Sequence, residues 1–319
     1  MTSTDVAREA GLSRATVSYV LNGDPRQQIP EPTRQRVLEA AARLGYRPYG
    51  PARLLRGARS KVVLMLTPGL QRAADFVAAG IISQLGEELA TKGLHLVWQL
   101  GDTELHGASV DLAPAVVLSS ATEDEETFAK LVQQFDVPVL AAFPGLPGFI
   151  GGAASAQVEH LVERGRRRLA FAFPGVAQLQ PTAEIRWAAV QDAARRLDLE
   201  APVRFDAPDD RSAATTALIE LLDAHPDVDG ICAYNDAVAF AVLAAASDAD
   251  VAVPDRIAVI GVDNHPFGTL AIPALSTVEA DVHEFVTAFA QNVARVAGGE
   301  DPLPIRLPER SQPVVRRSS

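Results

Sequence analysis

The chain has 319 residues, 48% of them apolar and 22% charged, with a net charge of −11. That balance describes a soluble globular protein. It contains no apolar run long enough to span a membrane, it opens on a helical motif rather than a signal peptide, and its one cysteine, Cys232, cannot close an internal disulfide. These features together point to the cytoplasm. The charge is unevenly spread: residues 1–60 carry ten Arg against five acids, a net of +5, leaving −16 on residues 61–319. A basic head on an acidic body is the asymmetry of a chain that meets phosphate at one end.

Taken in chain order, Thr2 is a good N-cap with Asp5 three residues on, and Val6, Ala7 and Ala10 share one helical face. Gly11 offers the left-handed conformation that ends this helix, Leu12 plugs the angle, and Ser13 caps a second helix. There Val17, Val20 and Leu21 face inward, leaving Arg14, Ala15, Ser18, Tyr19 and Asn22 outside. An ordinary solvated face would carry Glu and Lys. This one has no acid and suits a phosphate-lined groove. A third helix opens on Pro32, has Val37, Leu38, Ala41 and Leu44 as its apolar stripe, and ends at Gly45. Three such helices bury too little to be robust alone, so DNA and a partner subunit are expected to stabilise them. Pro48 and Pro51 then interrupt the chain, and Ala52-Arg53-Leu54-Leu55-Arg56 is too short a helix to persist unaided. Leucines set among arginines fit a segment that orders on DNA and wedges the minor groove. The alternative is a basic linker whose leucines pack on the body.

From residue 61 onward strands and helices alternate. Val62–Leu66 reads as a buried parallel strand, and His95–Leu100, Val116–Ser119, Val137–Ala142, Leu169–Phe173, Gly230–Ala233 and Ile257–Gly261 as further strands. Helical patterns lie at about 74–92, 125–134, 155–164, 184–197, 213–224, 237–246 and 282–297, the spans being approximate as such readings are. This is an α/β body of two doubly wound parallel-sheet subdomains behind an all-α helix-turn-helix headpiece. No metal-ligand spacing appears among the six histidines, and no dinucleotide fingerprint, P-loop or nucleophile elbow is present. An enzyme therefore has no anchor here, and no cofactor or metal is expected. His160 and Cys232 read as structural.

Residues 2–60 resemble the head and hinge of the lactose-repressor/galactose-repressor (LacI/GalR) family. The matching motifs are Asp5-Val6-Ala7, Ala10-Gly11-Leu12-Ser13, Ala15-Thr16-Val17-Ser18, Val20-Leu21-Asn22-Gly23, Arg36-Val37, Gly45-Tyr46-Arg47-Pro48 and Ala52-Arg53 with Leu55. In the body the matches are His160-Leu161, Gly165, Arg186, Asn235-Asp236, Val259-Ile260-Gly261 with Asp263, Pro273 to Val278, and Val314 to Ser318. The resemblance implies a DNA-binding domain over 1–47, a hinge over 48–60, and an effector-binding and dimerisation domain over 61–319 similar to periplasmic sugar-binding proteins. It implies a homodimer on a pseudo-palindromic double-stranded operator. Candidate DNA contacts are Thr4, Ser13, Arg14, Ala15, Thr16, Ser18, Tyr19, Asn22, Arg53 and Leu55, with Leu55 the minor-groove lever. Tyr19 replaces the Arg common at its position, and a phenol cannot read guanine bidentately.

The resemblance also implies a small-molecule effector, a sugar or other metabolite, in the crevice between subdomains. Its candidate ligands are Phe76, Phe143, Arg186, Asn235 and Asp263. Phe143 stands where the family usually has an Asp that bonds sugar hydroxyls, and Gly151-Gly152 replaces a region that normally carries another. The chain is thus read as a transcriptional repressor with an unusual effector. A regulator whose sensor no longer needs a ligand is the alternative; a transporter's solute-binding protein is contradicted by the head.

Overall fold

The computed structural model describes residues 2–22, 29–46, 59–67, 76–100, 112–119, 125–142, 146–305 and 311–319. Arg53, Leu55 and Phe143 lie outside them. The contacts divide the chain into two units, Met1–Ser60 and Lys61–Ser319.

The first unit contains α1 (Ser3–Ala10), α2 (Arg14–Asn22) and α3 (Glu31–Arg43). Thr2 and Asp5 form a reciprocal capping box: the Thr2 N–H donates to Asp5 Oδ2 at 2.8 Å and Thr2 Oγ1 accepts from the Asp5 N–H at 3.4 Å. The bond from the Thr2 N–H, with a second from Thr2 Oγ1 to Asp5 Oδ2 at 2.9 Å, holds the Asp5 carboxyl below its usual range. Gly11 ends α1 at φ 63°, a conformation that a Cβ would strain. Val6, Ala7, Val17, Val20, Val37, Ala40 and Ala41 make the core, with Leu12, Leu21, Ile29 and Leu44 packed around it. Leu38 is a correction to the expected stripe. It is exposed, because Val37, Ala40 and Ala41 fill the inward arc and Leu38 lies outside it.

The second unit has two lobes. In the first, β1 (Val62–Thr67), β2 (His95–Leu100), β3 (Val116–Ser119) and β4 (Val139–Ala141) form a parallel sheet in the order β2-β1-β3-β4. Both faces of β1 are covered, which is why its sequence is a continuous apolar run. Val63 and Met65 pack with Ile82, Leu85 and Leu89 of α4 (Phe76–Thr91), whereas Leu64 and Leu66 meet Phe135 and Val137, just past α5 (Glu125–Gln134).

In the second lobe, β5 (Leu169–Pro174), β6 (Val203–Ala207), β7 (Gly230–Ala233) and β8 (Ala258–Ile260) form another parallel sheet, ordered β6-β5-β7-β8. Helix α6 (Leu146–Glu163) packs on α7 (Gln180–Arg196), and α8 (Arg211–Ala224) on α9 (Asp236–Asp248). The connections β5–α7–β6 and β6–α8–β7 run in opposite directions along the sheet, so the right-handed crossover rule assigns α7 and α8 to opposite faces. Strands β6, β9 (Thr277–Ala280) and β10 (Ser311–Val314) were not expected from the sequence. β9 and β10 form an antiparallel ribbon.

The chain does not finish one lobe before starting the next. After β9 it returns to the first lobe as α10 (His283–Ala297), whose Phe285, Val286, Phe289, Ala290 and Val293 complete that lobe's core. β10 then pairs back with β9. The tail beyond it is stitched to β8: the Val259 N–H donates to the Ser318 carbonyl at 2.7 Å, and Ser318 Oγ donates to the Val259 carbonyl at 2.7 Å. Phe289→Ala is expected to destabilise the protein by about 3–5 kcal/mol in urea unfolding. A loss near zero would mean that α10 does not complete the first core.

Candidate DNA interface and effector site

In the headpiece, Ser13 Oγ accepts from the Thr16 N–H at 3.0 Å and lies 2.9 Å from Thr16 Oγ1. Two candidate contacts thus begin by starting α2. Arg14, Ala15 and Tyr19 lie exposed on one side, with Thr16 and Ser18 half-buried at its margin. Thr4 is exposed in the first turn of α1, and Asn22 is the last residue of α2. The supporting scaffold is polar at its edge. Arg36 Nη2 donates to the Ala10 carbonyl at 3.2 Å, placing a cation where α1 ends, and Arg43 pairs with Glu9 at 3.2 Å.

In both sheets of the body the strand order reverses, at β1/β3 and at β5/β7, and such points open a crevice at the carboxyl ends of the strands. In the second lobe three candidate residues meet there. Asn235 follows β7 and Asp263 follows β8, while Arg186 comes from α7. Arg186 is buried, with its guanidinium 4.6 Å from the centre of the Tyr234 ring; it donates to the Tyr234 carbonyl and lies 3.4 Å from Asp263 Oδ1. A planar cation held between a ring and a carboxylate is fixed in orientation, which suits Arg better than Lys. Asn235 Oδ1 caps α9 by accepting from the Val238 N–H at 3.0 Å. Phe76 is the first residue of α4, in the other lobe.

Beneath these residues lies one that the sequence reading left without a role. Asp236 is 1% exposed. Its Oδ1 accepts from Thr277 Oγ1 at 2.6 Å and its Oδ2 from the His265 N–H at 2.6 Å. Burial pushes this carboxyl up to about 7, against the two hydrogen bonds, which pull it down; nearby Asp263 raises it and Arg316 lowers it. Gly261 exists to make room, since a Cβ there would stand 2.0 Å from Asp236 Oδ1. Gln157 supports the same strand ends from α6: its Nε2 lies 2.8, 3.0 and 3.1 Å from the carbonyls of Ala233, Ile260 and Gly261. Only a buried acid opening a helix, in Asn235-Asp236, signalled any of this in the sequence. Its partner Thr277 is 41 residues away.

The residues read as structural behave so. Cys232 is buried in β7, and burial pushes its thiol up. His160 Nε2 lies 2.8 Å from Ser319 Oγ, and burial, with Arg164 adding to it, lowers its pKa. A cavity of about 530 Å³ lies where β9 gives way to α10, lined by Gln84, Glu279, Asp281 and His283 among others; Arg186, Asn235 and Asp263 are not among its described lining residues. Among the described residues no helix is long and apolar enough to cross a membrane, and no group of His, Cys, Asp or Glu could hold a metal.

An acid whose folded pKa is raised from 3.8 to about 7 contributes stability fully below its unfolded value and loses it as pH climbs to about 7. Between about pH 5 and about pH 8 the wild type should therefore lose on the order of 2–3 kcal/mol relative to Asp236→Asn, read by urea unfolding. Equal pH slopes in the two proteins would show that this carboxyl titrates normally.

Comparison with known proteins follows the same division of the chain. Residues 2–49 match the model of bacterial regulatory proteins of the lacI family, and residues 158–319 match the periplasmic binding protein-like domain. The HTH-type transcriptional regulator CelR of Thermobifida fusca is 30% identical, over 98% of this chain and 96% of its own. A solved CelR–cellobiose complex superposes with a TM-score of 0.67 at 25% identity, covering all of both chains. A lac repressor dimer bound to operator superposes with a TM-score of 0.80 at 19% identity, covering 100% of this chain and 98% of that one. The HTH-type transcriptional regulator GntR of Pseudomonas aeruginosa is 27% identical, over 94% of this chain and 90% of its own. With a helix-turn-helix head and a two-lobed periplasmic-binding-like body, this chain belongs to the lacI family of bacterial transcriptional regulators.

Proposed function

We propose that this protein is a cytoplasmic, sequence-specific repressor, governed by a small molecule bound at the carboxyl ends of the body strands. The observation that carries the reading is the outer side of α2. It presents Arg14, Ala15 and Tyr19 to solvent with no acid among them, on a head of net charge +5. Arg53 and Leu55 of the hinge are proposed to act in the minor groove. For the effector, Arg186 and Asp263 supply a donor and an acceptor side by side, the combination that neighbouring hydroxyls require. The relative crystallised with cellobiose makes a saccharide the first class to test.

A pseudo-palindromic operator requires two heads, and the body offers a surface for a second copy. The loop between β8 and β9 exposes Phe267, Leu270 and Ile272, the last two 74% and 90% exposed. Large apolar side chains held in water on one loop mark an association surface. A second copy of this chain is the occupant proposed, in keeping with the dimeric lac repressor of similar fold.

Two outcomes are expected. Selection of genomic fragments by the purified protein should enrich a pseudo-palindrome over scrambled competitor, and Arg14→Ala should reduce the salt slope of binding by about one unit. No enrichment would reject the regulator, while an unchanged slope would leave Arg14 with a base-edge or purely structural role. Ile272→Glu should convert the dimer to a monomer in sedimentation at micromolar concentration and weaken operator binding with it. A dimer that survives places the interface elsewhere.

A further inference from the structure

Asp263 does not reach the crevice on ordinary backbone. It has φ 102° and Asn264 has φ 50°, two consecutive non-glycine residues in the left-handed region. Each costs about 1–3 kcal/mol and persists only where the surroundings over-determine it. Three backbone amides are tied down locally: Asp263 N–H to the Val278 carbonyl at 2.8 Å, Asn264 N–H to Thr277 Oγ1 at 3.2 Å, and His265 N–H to Asp236 Oδ2 at 2.6 Å. A fourth tie comes from the far end of the chain. Arg316 Nη2 donates to Asn264 Oδ1 at 2.5 Å, while its Nη1 donates to the Leu275 carbonyl at 2.6 Å.

We infer that Arg316 is a positioning residue of the effector site, fastening the Asp263–Asn264 turn to the C-terminal tail so that the Asp263 carboxylate stays beside Arg186. This rests on the reading that Asp263 receives the effector. The geometry is that of a fork. One guanidinium spans two acceptors on opposite sides of the loop, which a lysine ammonium on a flexible stem does not hold together. Gly268 leaves the space, since a Cβ there would stand 3.1 Å from Arg316 Nη1. The tail is itself anchored on both sides of the arginine. The Arg316 N–H donates to Ser276 Oγ at 2.9 Å, the Arg317 N–H to the Ala274 carbonyl at 2.9 Å, and Ser318 is buried against Val259. Arg316 therefore transmits the position of a fixed strand to a turn that strain would otherwise relax.

Amide hydrogen exchange on the ligand-free full-length protein tests this, because the amides of residues 263–265 are all hydrogen-bonded donors. Arg316→Ala is expected to speed exchange across residues 263–265 by about tenfold or more while the β5 and α9 peptides keep wild-type rates. Asn264→Ala, which removes the acceptor and leaves the tail intact, should do the same. The double variant should add little, as the two ends of one interaction must. Arg316→Lys should fail to restore protection, and Arg317→Ala should match wild type. Unchanged exchange at 263–265 in Arg316→Ala, full rescue by Lys, or a uniform rise across the whole body would each overturn the assignment. The measurement needs no ligand. If the turn is held as described but Asp263→Ala and wild type respond alike to cellobiose and other disaccharides, the effector reading falls and the role of Arg316 in the turn stands.

Discussion

A carboxyl group buried at the end of a parallel sheet is the constraint around which the second lobe of the body is built. Asp236 has almost no contact with water, and an acid in that position is tolerable only with donors aimed at it. Its two donors come from different places, the hydroxyl of Thr277 in β9 and the backbone N–H of His265 beyond β8. Meeting that demand fixes three things together: where α9 begins, how β9 lies beside it, and the path of the turn between. Gly261 follows from the same demand, since no other residue lets the strand pass so near the carboxyl. Removing one donor would strand the acid, and the cost of that is larger than the worth of either bond.

The candidate effector residues inherit their positions from this arrangement. Asp263 projects from the turn that Asp236 organises. Arg186 reaches it from the other side, with one face on the Tyr234 ring. Tyr234, Asn235 and Asp236 are consecutive, so stacking surface, helix cap and buried acid are set by one strand-to-helix transition. A ligand that engaged Asp263 would act on a turn already held from β9, α9 and the tail. Such a turn shifts as a unit or not at all, which is the property a switch needs.

The sequence made the local features legible and hid the long-range ones. The Thr2–Asp5 capping box, the left-handed Gly11 and the inward Val17 and Val20 each depend on neighbours three or four residues away. The apolar run of β1 announced a strand buried on both faces. By contrast β6 alternates, with Arg204 and Asp206 among its residues, because it lies at a sheet edge, and β10 contains Pro313. Helix α6 begins at Leu146, well before residue 155 where its pattern starts to read. Pro147, Gly148, Gly151 and Gly152 depress its local propensity, and packing on α7 supplies what propensity lacks: a Cβ at Gly151 would come within 3.4 Å of Ala189. The pairings of Asp236 with Thr277 and of Arg316 with Asn264 span 41 and 52 residues, and no periodicity encodes them.

The headpiece shows the opposite economy. Among its described residues the fully buried core consists of Val and Ala side chains, with no aromatic residue. A core of that size holds a fold with little to spare. Binding to DNA or to a second head adds stability by mass action, so the folded, docked state is the one that gains. A regulator built this way needs no large force from its sensor. A coupling of about 1–3 kcal/mol, the ordinary range between two sites, changes an affinity by about 5- to 150-fold and is enough to decide whether the head stays on its site. The division of labour follows from burial: a heavily cross-tied lobe that can store a ligand's preference, and a lightly built head that can respond to it.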